Sequence, residues 1–593
     1  MYRNPVIVQI SDLHFGRNTK PWRWRNPSIN KDAQATLRQA IVEIDPRPDF
    51  LIVTGDIANR GRVDEMNEGR TFLESVLNAL WADGHATRCI LIPGNHDVWR
   101  TTCASLSGYR FRSQRLTEWN QVFPGWSFLA PTLPESAGEY HRPFSLFEHY
   151  KARGGEGGKP LAPPAAQAKA DEALRFCEYF PTFNLGFLKL DSNTKEGRWP
   201  GHIARGLVGI HQRQTMDSIL HTYDEATREL TSPFAEARRI GLVHHHVTRL
   251  PNVKLEHWML MDDAGEVARW LARNGVQLVL HGHFHWADLV GLTYWNTESN
   301  NSKVETIVVS AGSATAVDVD DHHNSCNYIN LGQFRTSIKR PHLDHGEYQK
   351  LAAAESFEFV HKPKLSFEDG NLQDVPVFLD VLVTGLAAQE KYADQKHLYG
   401  SVKSTGFIDD DRNYFGSVEL EGTNPTKQAT NYLPFVFSAV GTQNFVESDC
   451  RAIDLKSGKE LQAPVLVEER PISVFPCRIF FNQPLVPNDS FKIRVHFRLQ
   501  KVMLEQKDYD MLSLFRFPRG LACAEIALIS SKTLVGPVLW ELRGGKLKPS
   551  NISLDFIQKV PENPAGKAAV DGYSAAINSP SALSYLLQYE KLA

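Results

Sequence analysis

Five short clusters of carboxylate, carboxamide and imidazole side chains punctuate the first half of the chain. They are Asp12-Leu13-His14, Gly55-Asp56, Gly94-Asn95-His96-Asp97, His244-His245-His246 and His281-Gly282-His283-Phe284-His285. Such groups can hold cations or move protons, but each cluster alone is weak. Gly-Asp is a common turn, a lone histidine is more often structural, and an aspartate before a helix often caps it. Their order and placement carry more weight than their identity.

Each cluster follows an element that would place it. Val6 to Ile10, Phe50 to Val53, Cys89 to Ile92, Ile240 to Val243 and Val276 to Leu280 are short apolar runs of strand length. Between them lie helical patterns, with Leu37, Ala40, Ile41 and Ile44 on one face and Phe72, Leu73, Val76, Leu77 and Leu80 on another. A further run, Thr306 to Val309, continues the series. Continuous apolar strands alternating with amphipathic helices predict an α/β sheet covered on both faces. In open α/β sheets, ligands bind beyond the carboxyl ends of the strands, so the five clusters should converge on one place.

The pattern Asp-x-His, Gly-Asp, Gly-Asn-His-Asp, His and Gly-His-x-His resembles the calcineurin-like metallophosphoesterase superfamily over about residues 1 to 345. Phe187 to Ser192, with Gly206 and Gln212, resembles the strand and helix that precede the fourth motif in that family. The resemblance implies a two-sheet α/β sandwich and two divalent transition metal ions about 3.5–4 Å apart. By that resemblance Asp12, His14 and His285 hold the first ion, Asn95, His244 and His283 the second, and Asp56 bridges them. In the triple histidine, His244 is nearest the strand end and His245 is the alternative. His281 reads as a strand residue. Mixed nitrogen and oxygen ligands suit Mn, Fe, Zn or Co better than Ca, with Mn favoured. The two ions bring four positive charges against two aspartates, leaving net positive charge for an anionic phosphate. A metal-bridging hydroxide would then attack phosphorus, with His96 as general acid and Asp97 orienting its imidazole.

Around this centre, Arg17, Trp22, Arg23 and Trp24 interleave basic and aromatic residues, and Arg60 and Arg100 follow metal motifs. They are candidates for pairing with phosphate and stacking on a base. The predicted activity is that of a phosphodiesterase or nuclease acting on a nucleotide, cyclic nucleotide or nucleic-acid phosphodiester. Two alternatives stand beside it: a phosphomonoesterase or protein phosphatase on the same scaffold, and a protein whose second domain recruits a partner. Both enzyme readings are metal-dependent phosphoric ester hydrolases.

The domain boundary is expected near 365. Residues 1–365 form the metallophosphoesterase-like domain, interrupted by an excursion over about 105–182 that includes the Gly/Pro-rich stretch 154–164. This reads as a flexible lid, with Trp119, Phe123, Trp126 and Phe128 facing the metal site. Residues 366–593 read as a β-rich sandwich domain of unknown role. Phe491 to Leu499 alternates apolar residues with Lys492, Arg494, His496 and Arg498, and a closing helix is expected near 583–592. The three cations of that strand read as a solvated face more than a nucleic-acid face.

At 593 residues the chain exceeds a single core. Its composition, 42% hydrophobic and 22% charged, excludes a mostly disordered protein. Lys+Arg 65 against Asp+Glu 68 gives a net charge of −3, so no global basic field draws nucleic acid. Seven dispersed cysteines without a CxxC pair predict reduced thiols. With no leader pattern and no long apolar stretch, a cytoplasmic protein without membrane contact is expected.

Overall fold

The computed structural model describes residues 4–16, 28–29, 31–98, 108–134, 138–139, 141–153, 159–194, 206–221, 234, 237–248, 260–283, 285–296, 302–317, 324–332, 335–344, 347–360, 366–367, 386, 390, 397–409, 411, 413–426, 428–438, 449–462, 464–466, 474–499, 507–513, 521–531, 534–543, 546–557, 571–578 and 584–591. The chain divides into two compact units. One comprises Pro5–Leu331 with Ser337–Phe357, and the other Met1–Asn4, Gly332–Thr336 and Glu358–Ala593.

In the first unit the apolar runs are strands, named here β1 (Val6–Ile10), β2 (Phe50–Val53), β3 (Arg88–Leu91), β4 (Leu185–Leu190), β5 (Arg238–Val243), β6 (Val276–His281), β7 (Ser302–Ser310) and β8 (Asn327–Leu331). They form two sheets. In the first, β8, β1, β2, β3 and the short strand Ser127–Phe128 are neighbours in that order, with β1, β2 and β3 parallel. In the second, β7, β6, β5 and β4 run parallel, flanked by Asp288–Asn296 and Cys177–Phe180. Every residue of β1, β2 and β5 is buried, so their apolar residues read as runs in the sequence, while Gln9, Arg238 and Arg239 are buried on hydrogen bonds. This is the two-sheet α/β sandwich implied by the motifs.

A buried polar chain ties the two sheets together near the motif ends. The Gln9 amide on β1 donates to the His281 carbonyl on β6 at 2.9 Å and to Thr54 Oγ1 at 3.3 Å. Its oxygen accepts from Asn327 Nδ2, which also donates to the Ser310 carbonyl. Arg340 Nε then donates to Asn327 Oδ1 at 3.0 Å. Five strands from both sheets thus share one hydrogen-bonded network, which resists sliding of one sheet on the other.

The excursion is more ordered than its composition predicts. Pro163–Leu174 is a helix with proline at its first turn, and Ala166, Ala170 and Ala173 bury one face at helical spacing. Residues 154–158 of the glycine stretch lie outside the described residues. Of the aromatics expected to line a lid, Trp119, Phe123 and Trp126 are core and Phe128 is half-buried. Trp119 and Phe123 are fully buried with ring centroids 4.6 Å apart, and Trp126 donates to Asn120 Oδ1. The Arg70 guanidinium lies over the Phe128 ring and donates to the Val122 carbonyl. Large rings at the edge of a sheet gain more by covering apolar surface than by facing water.

A buried ion pair anchors the excursion to the second sheet. Lys189 Nζ on β4 lies 3.2 Å from Glu178 Oε2, both essentially inaccessible, and also donates to the Gly125 carbonyl. Glu178 Oε1 accepts from Ser127 Oγ at 2.8 Å. We predict that Lys189→Met lowers stability by about 1–3 kcal/mol, because it leaves the buried Glu178 carboxylate with only Arg88, 3.7 Å away, and Ser127 among its described partners. The double variant Lys189→Met/Glu178→Gln should recover most of that loss. An unchanged urea midpoint for Lys189→Met would show that the pair carries no net weight.

The second unit is β-rich. A seven-stranded sheet centred on Leu398–Ile408, Tyr414–Thr423, Ser490–Leu499 and Cys523–Ser530 shares one apolar cluster with a five-stranded and a three-stranded sheet. The closing segment is a strand, Ser584–Lys591, and not the helix expected there. It pairs with Lys507–Ser513 and Leu534–Arg543, and buries Tyr585 and Leu587 at the two-residue period of a strand. The run 375–383 lies outside the described residues. Lys492, Arg494 and Arg498 are matched by Glu421, Glu419 and Asp449 at 3.2, 2.6 and 3.3 Å, so this face is charge-balanced. Among the described residues no disulfide forms and no helix is long and apolar enough to cross a membrane.

Candidate metal centre

All five clusters leave the carboxyl ends of parallel strands, and the two sheets deliver them to one place. Asp12 and His14 follow β1, Asp56 follows β2, and Asn95 and His96 follow β3. From the second sheet, His244 follows β5, and His283 and His285 follow β6. Backbone bonds stitch these turns together: Asp12 N–H donates to Gly55 O at 3.1 Å, His14 N–H to Asp56 O at 2.9 Å, and Gly282 N–H to His244 O at 3.1 Å.

The side chains form two adjoining groups. In one, Nε2 of His14 and Nε2 of His285 are 3.0 Å apart, and His285 Nε2 is 3.3 Å from Asp12 Oδ1. In the other, Asn95 Oδ1 lies 3.0 Å from both His244 Nε2 and His283 Nδ1, and His244 Nε2 is 3.3 Å from Asp56 Oδ2. Asp56 is common to a group with His14 and His96 and to a group with His244 and His283. It therefore lies between the two halves of the site.

The chemistry of these donors fits a pair of cations. Asp12 Oδ1 is buried and accepts no hydrogen bond. Burial opposes ionisation of both aspartates, yet His285 beside Asp12 and His244 beside Asp56 hold both carboxyls below the usual range. Burial, reinforced by its neighbour His244, pushes His283 down to about 3, so one of its ring nitrogens keeps a free lone pair at neutral pH. His244 moves up, to about 9: burial works against its charge, but the Asp56 carboxylate outweighs it. Two converging sets of oxygen and imidazole donors at these distances suit borderline transition metals.

The backbone is bent to make this possible. Asp12, His14, Asp56, His283 and His285 all have left-handed φ, at 55°, 49°, 53°, 81° and 60°. Non-glycine residues hold that conformation at a cost, and it concentrates where a site over-determines them. Two glycines permit the close approach of the turns. A Cβ on Gly94 would sit 2.2 Å from Asp56 Oδ1, and one on Gly282 would sit 1.8 Å from Ser11 Oγ.

Placement differs from expectation for Asp97. Its two oxygens accept Ala58 N–H at 2.7 Å and Gly94 N–H at 2.9 Å, so the carboxylate clamps the second and third motif turns. Burial and the nearby Asp56 push this carboxyl up to about 8. The group that faces His96 Nδ1 is a main-chain carbonyl, Asn59 O, at 2.9 Å. A carbonyl oxygen on a loop leaves no signal in sequence, whereas an aspartate next to a histidine invites the pairing. His96 also donates its backbone N–H to Asp56 Oδ1 at 2.8 Å, and its ring lies 4.6 Å from that of His14.

The rest of the triple histidine lines the back of the site. His245 Nδ1 lies 2.8 Å from Ser192 Oγ with its ring 4.3 Å from His283, and the His246 ring meets His281 edge-on with centroids 4.4 Å apart. Asn193 Nδ2 donates to the Pro93 carbonyl, joining β4 to the third motif. Of the substrate candidates, Arg60 is exposed and donates its N–H to Glu65. Arg17, Trp22, Arg23, Trp24 and Arg100 lie outside the described residues. Trp286, directly after His285, is 40% exposed and was not singled out from sequence, where it reads as one more apolar residue.

The family model for calcineurin-like phosphoesterases matches residues 5–157, which contain the first three motifs. Over these residues the chain is similar to that family. No family model matches the C-terminal region. No curated protein matches the sequence. Among solved structures, Vps29 from Cryptosporidium parvum is similar at 13% identity and a TM-score of 0.25, over 60% of this chain and all of that one. A single mutant of Vps29 from Entamoeba histolytica is similar at 11% and 0.22, over 60% and 99%. An M1 zinc metallopeptidase from Deinococcus radiodurans is similar at 8% and 0.21, over 34% and 43%. TM-scores of this size carry no weight for fold or function. The phosphoesterase family is metal-dependent, and the donor groups described above are its candidate ligands here.

Proposed function

We propose that this phosphoesterase is a phosphodiesterase of nucleotide-type substrates, with Asp12, His14 and His285 holding one cation, Asn95, His244 and His283 a second, and Asp56 shared. When bound, the two cations would supply Lewis acidity that neutralises phosphoryl oxygens and lowers the pKa of a shared water. The cation pair is proposed to be Mn, Fe, Zn or Co, with Mn favoured.

The observation that carries the reading is His96 beside Asp56, with its Nδ1 facing a carbonyl. Because a carbonyl only accepts, Nδ1 carries a proton, and a second proton on Nε2 makes the ring a general acid. Such an acid matters most for an alkoxide leaving group, as in a nucleotide diester, and least for an aryl oxide. Two carboxylates against two divalent cations leave positive charge for a phosphodiester. Exposed Trp286 next to His285 offers a flat apolar surface on which a base could stack.

The test is a parallel assay of the Mn²⁺-loaded full chain on bis(p-nitrophenyl) phosphate, p-nitrophenyl phosphate, cyclic nucleotides, and single- and double-stranded DNA. Diesters should be turned over faster than the monoester. A preference for the monoester, or no cleavage of any diester, would overturn the assignment.

A further inference from the structure

We infer that the loop Ala311–Thr315, which follows β7, is a splint that holds the ligands of the first cation in position, with Ser313 and Thr315 as positioning residues. The inference rests on the two-cation reading. Three of those ligands, Asp12, His14 and His285, have left-handed backbone, and something must hold them there. The loop runs beside the first motif and makes three bonds to it in succession. Ala314 N–H donates to Ser11 O at 2.9 Å, Ser313 Oγ to Asp12 O at 2.8 Å, and Thr315 Oγ1 to Leu13 O at 2.8 Å.

The same loop reaches the fifth motif. Ser313 N–H donates to His285 O at 3.4 Å, so one serine touches the backbone of two ligands from different sheets. Ser313 and Thr315 are both buried, and the loop is braced from behind by Tyr348, whose hydroxyl donates to Ala314 O at 2.5 Å. Buried hydroxyls spent on main-chain carbonyls hold geometry and not substrate. The ligands of the second cation sit further from the loop: His244 Nδ1 faces Thr54 O, and His283 is linked to it indirectly, through its N–H to Asp12 Oδ2. Loss of the splint should therefore weaken the first cation position well before the second.

The experiment is equilibrium Mn²⁺ binding to the full chain, with thermal unfolding of the metal-free protein alongside. Wild type should bind two ions. Ser313→Ala and Thr315→Val should each weaken one position about tenfold, the loss of about one well-made hydrogen bond, and leave the other within twofold. Thr315→Ser keeps the hydroxyl and should restore the wild-type isotherm. In a His285→Ala background, where the first position is already lost, Ser313→Ala should change nothing further. Equal weakening of both positions, or weakening of neither, would overturn the splint while leaving the two-cation reading standing. A wild-type protein that takes up fewer than two ions would overturn both.

Discussion

Asp56→Asn should abolish phosphodiester hydrolysis, by about three orders of magnitude or more, and lower the bound metal. The substitution isolates charge from structure. Asparagine tolerates the left-handed backbone that Asp56 adopts, and its carbonyl oxygen can still accept the His96 N–H that Asp56 Oδ1 accepts at 2.8 Å. What disappears is one of only two carboxylates in the donor set, at the position shared between the two groups. Losing the shared anion removes several kcal/mol of charge stabilisation, and each 1.36 kcal/mol is tenfold in rate. Metal content and steady-state turnover, measured on the same preparation, check this. An Asp56→Asn protein that retains two tightly bound ions would contradict the shared role.

His96→Ala should cost roughly two to four orders of magnitude in turnover on a diester with an alkoxide leaving group. On a p-nitrophenyl diester the loss should be much smaller, because that leaving group departs without a proton. The side chain is buried, and its removal breaks the Nδ1 contact to Asn59 O and the packing against His14. The backbone N–H that reaches Asp56 stays. Metal content should therefore remain close to wild type, which separates this variant from Asp56→Asn. Equal losses on both leaving groups would place His96 in binding or structure and not in proton transfer.

Much of the phosphoesterase region was legible before any coordinates. Strands buried on both faces are mostly apolar, so Phe50–Val53 stands out as an unbroken run and Val6–Ile10 as one broken only by Gln9, while Ile240 to Val243 marks the end of β5. Polar residues directly after such runs have few structural reasons to be there. That is why Asp12, His14, Asp56, Asn95, His244, His283 and His285 could be named from spacing and resemblance. The β-rich character of the second unit was legible too, since Phe491, Ile493, Val495 and Leu499 alternate with polar residues and are buried in the structure.

What the chain order alone could not show is which groups hold those side chains in place. The Asn59 carbonyl facing His96, the Asp97 clamp on Ala58 and Gly94, and the Ser313 and Thr315 bonds to the first motif all involve main-chain atoms. Every residue carries the same backbone groups, so sequence offers no contrast by which to choose among them. The excursion misled for a related reason. Alanine, glycine and proline suggest flexibility by composition, but Ala166, Ala170 and Ala173 pack only once a neighbouring sheet is present to cover. The closing strand Ser584–Lys591 likewise depends on partners far away in the chain, Lys507–Ser513 and Leu534–Arg543. Residue type and spacing determined the reactive groups of this protein. Long-range backbone contacts, which have no signature in residue type, decided how those groups are aimed.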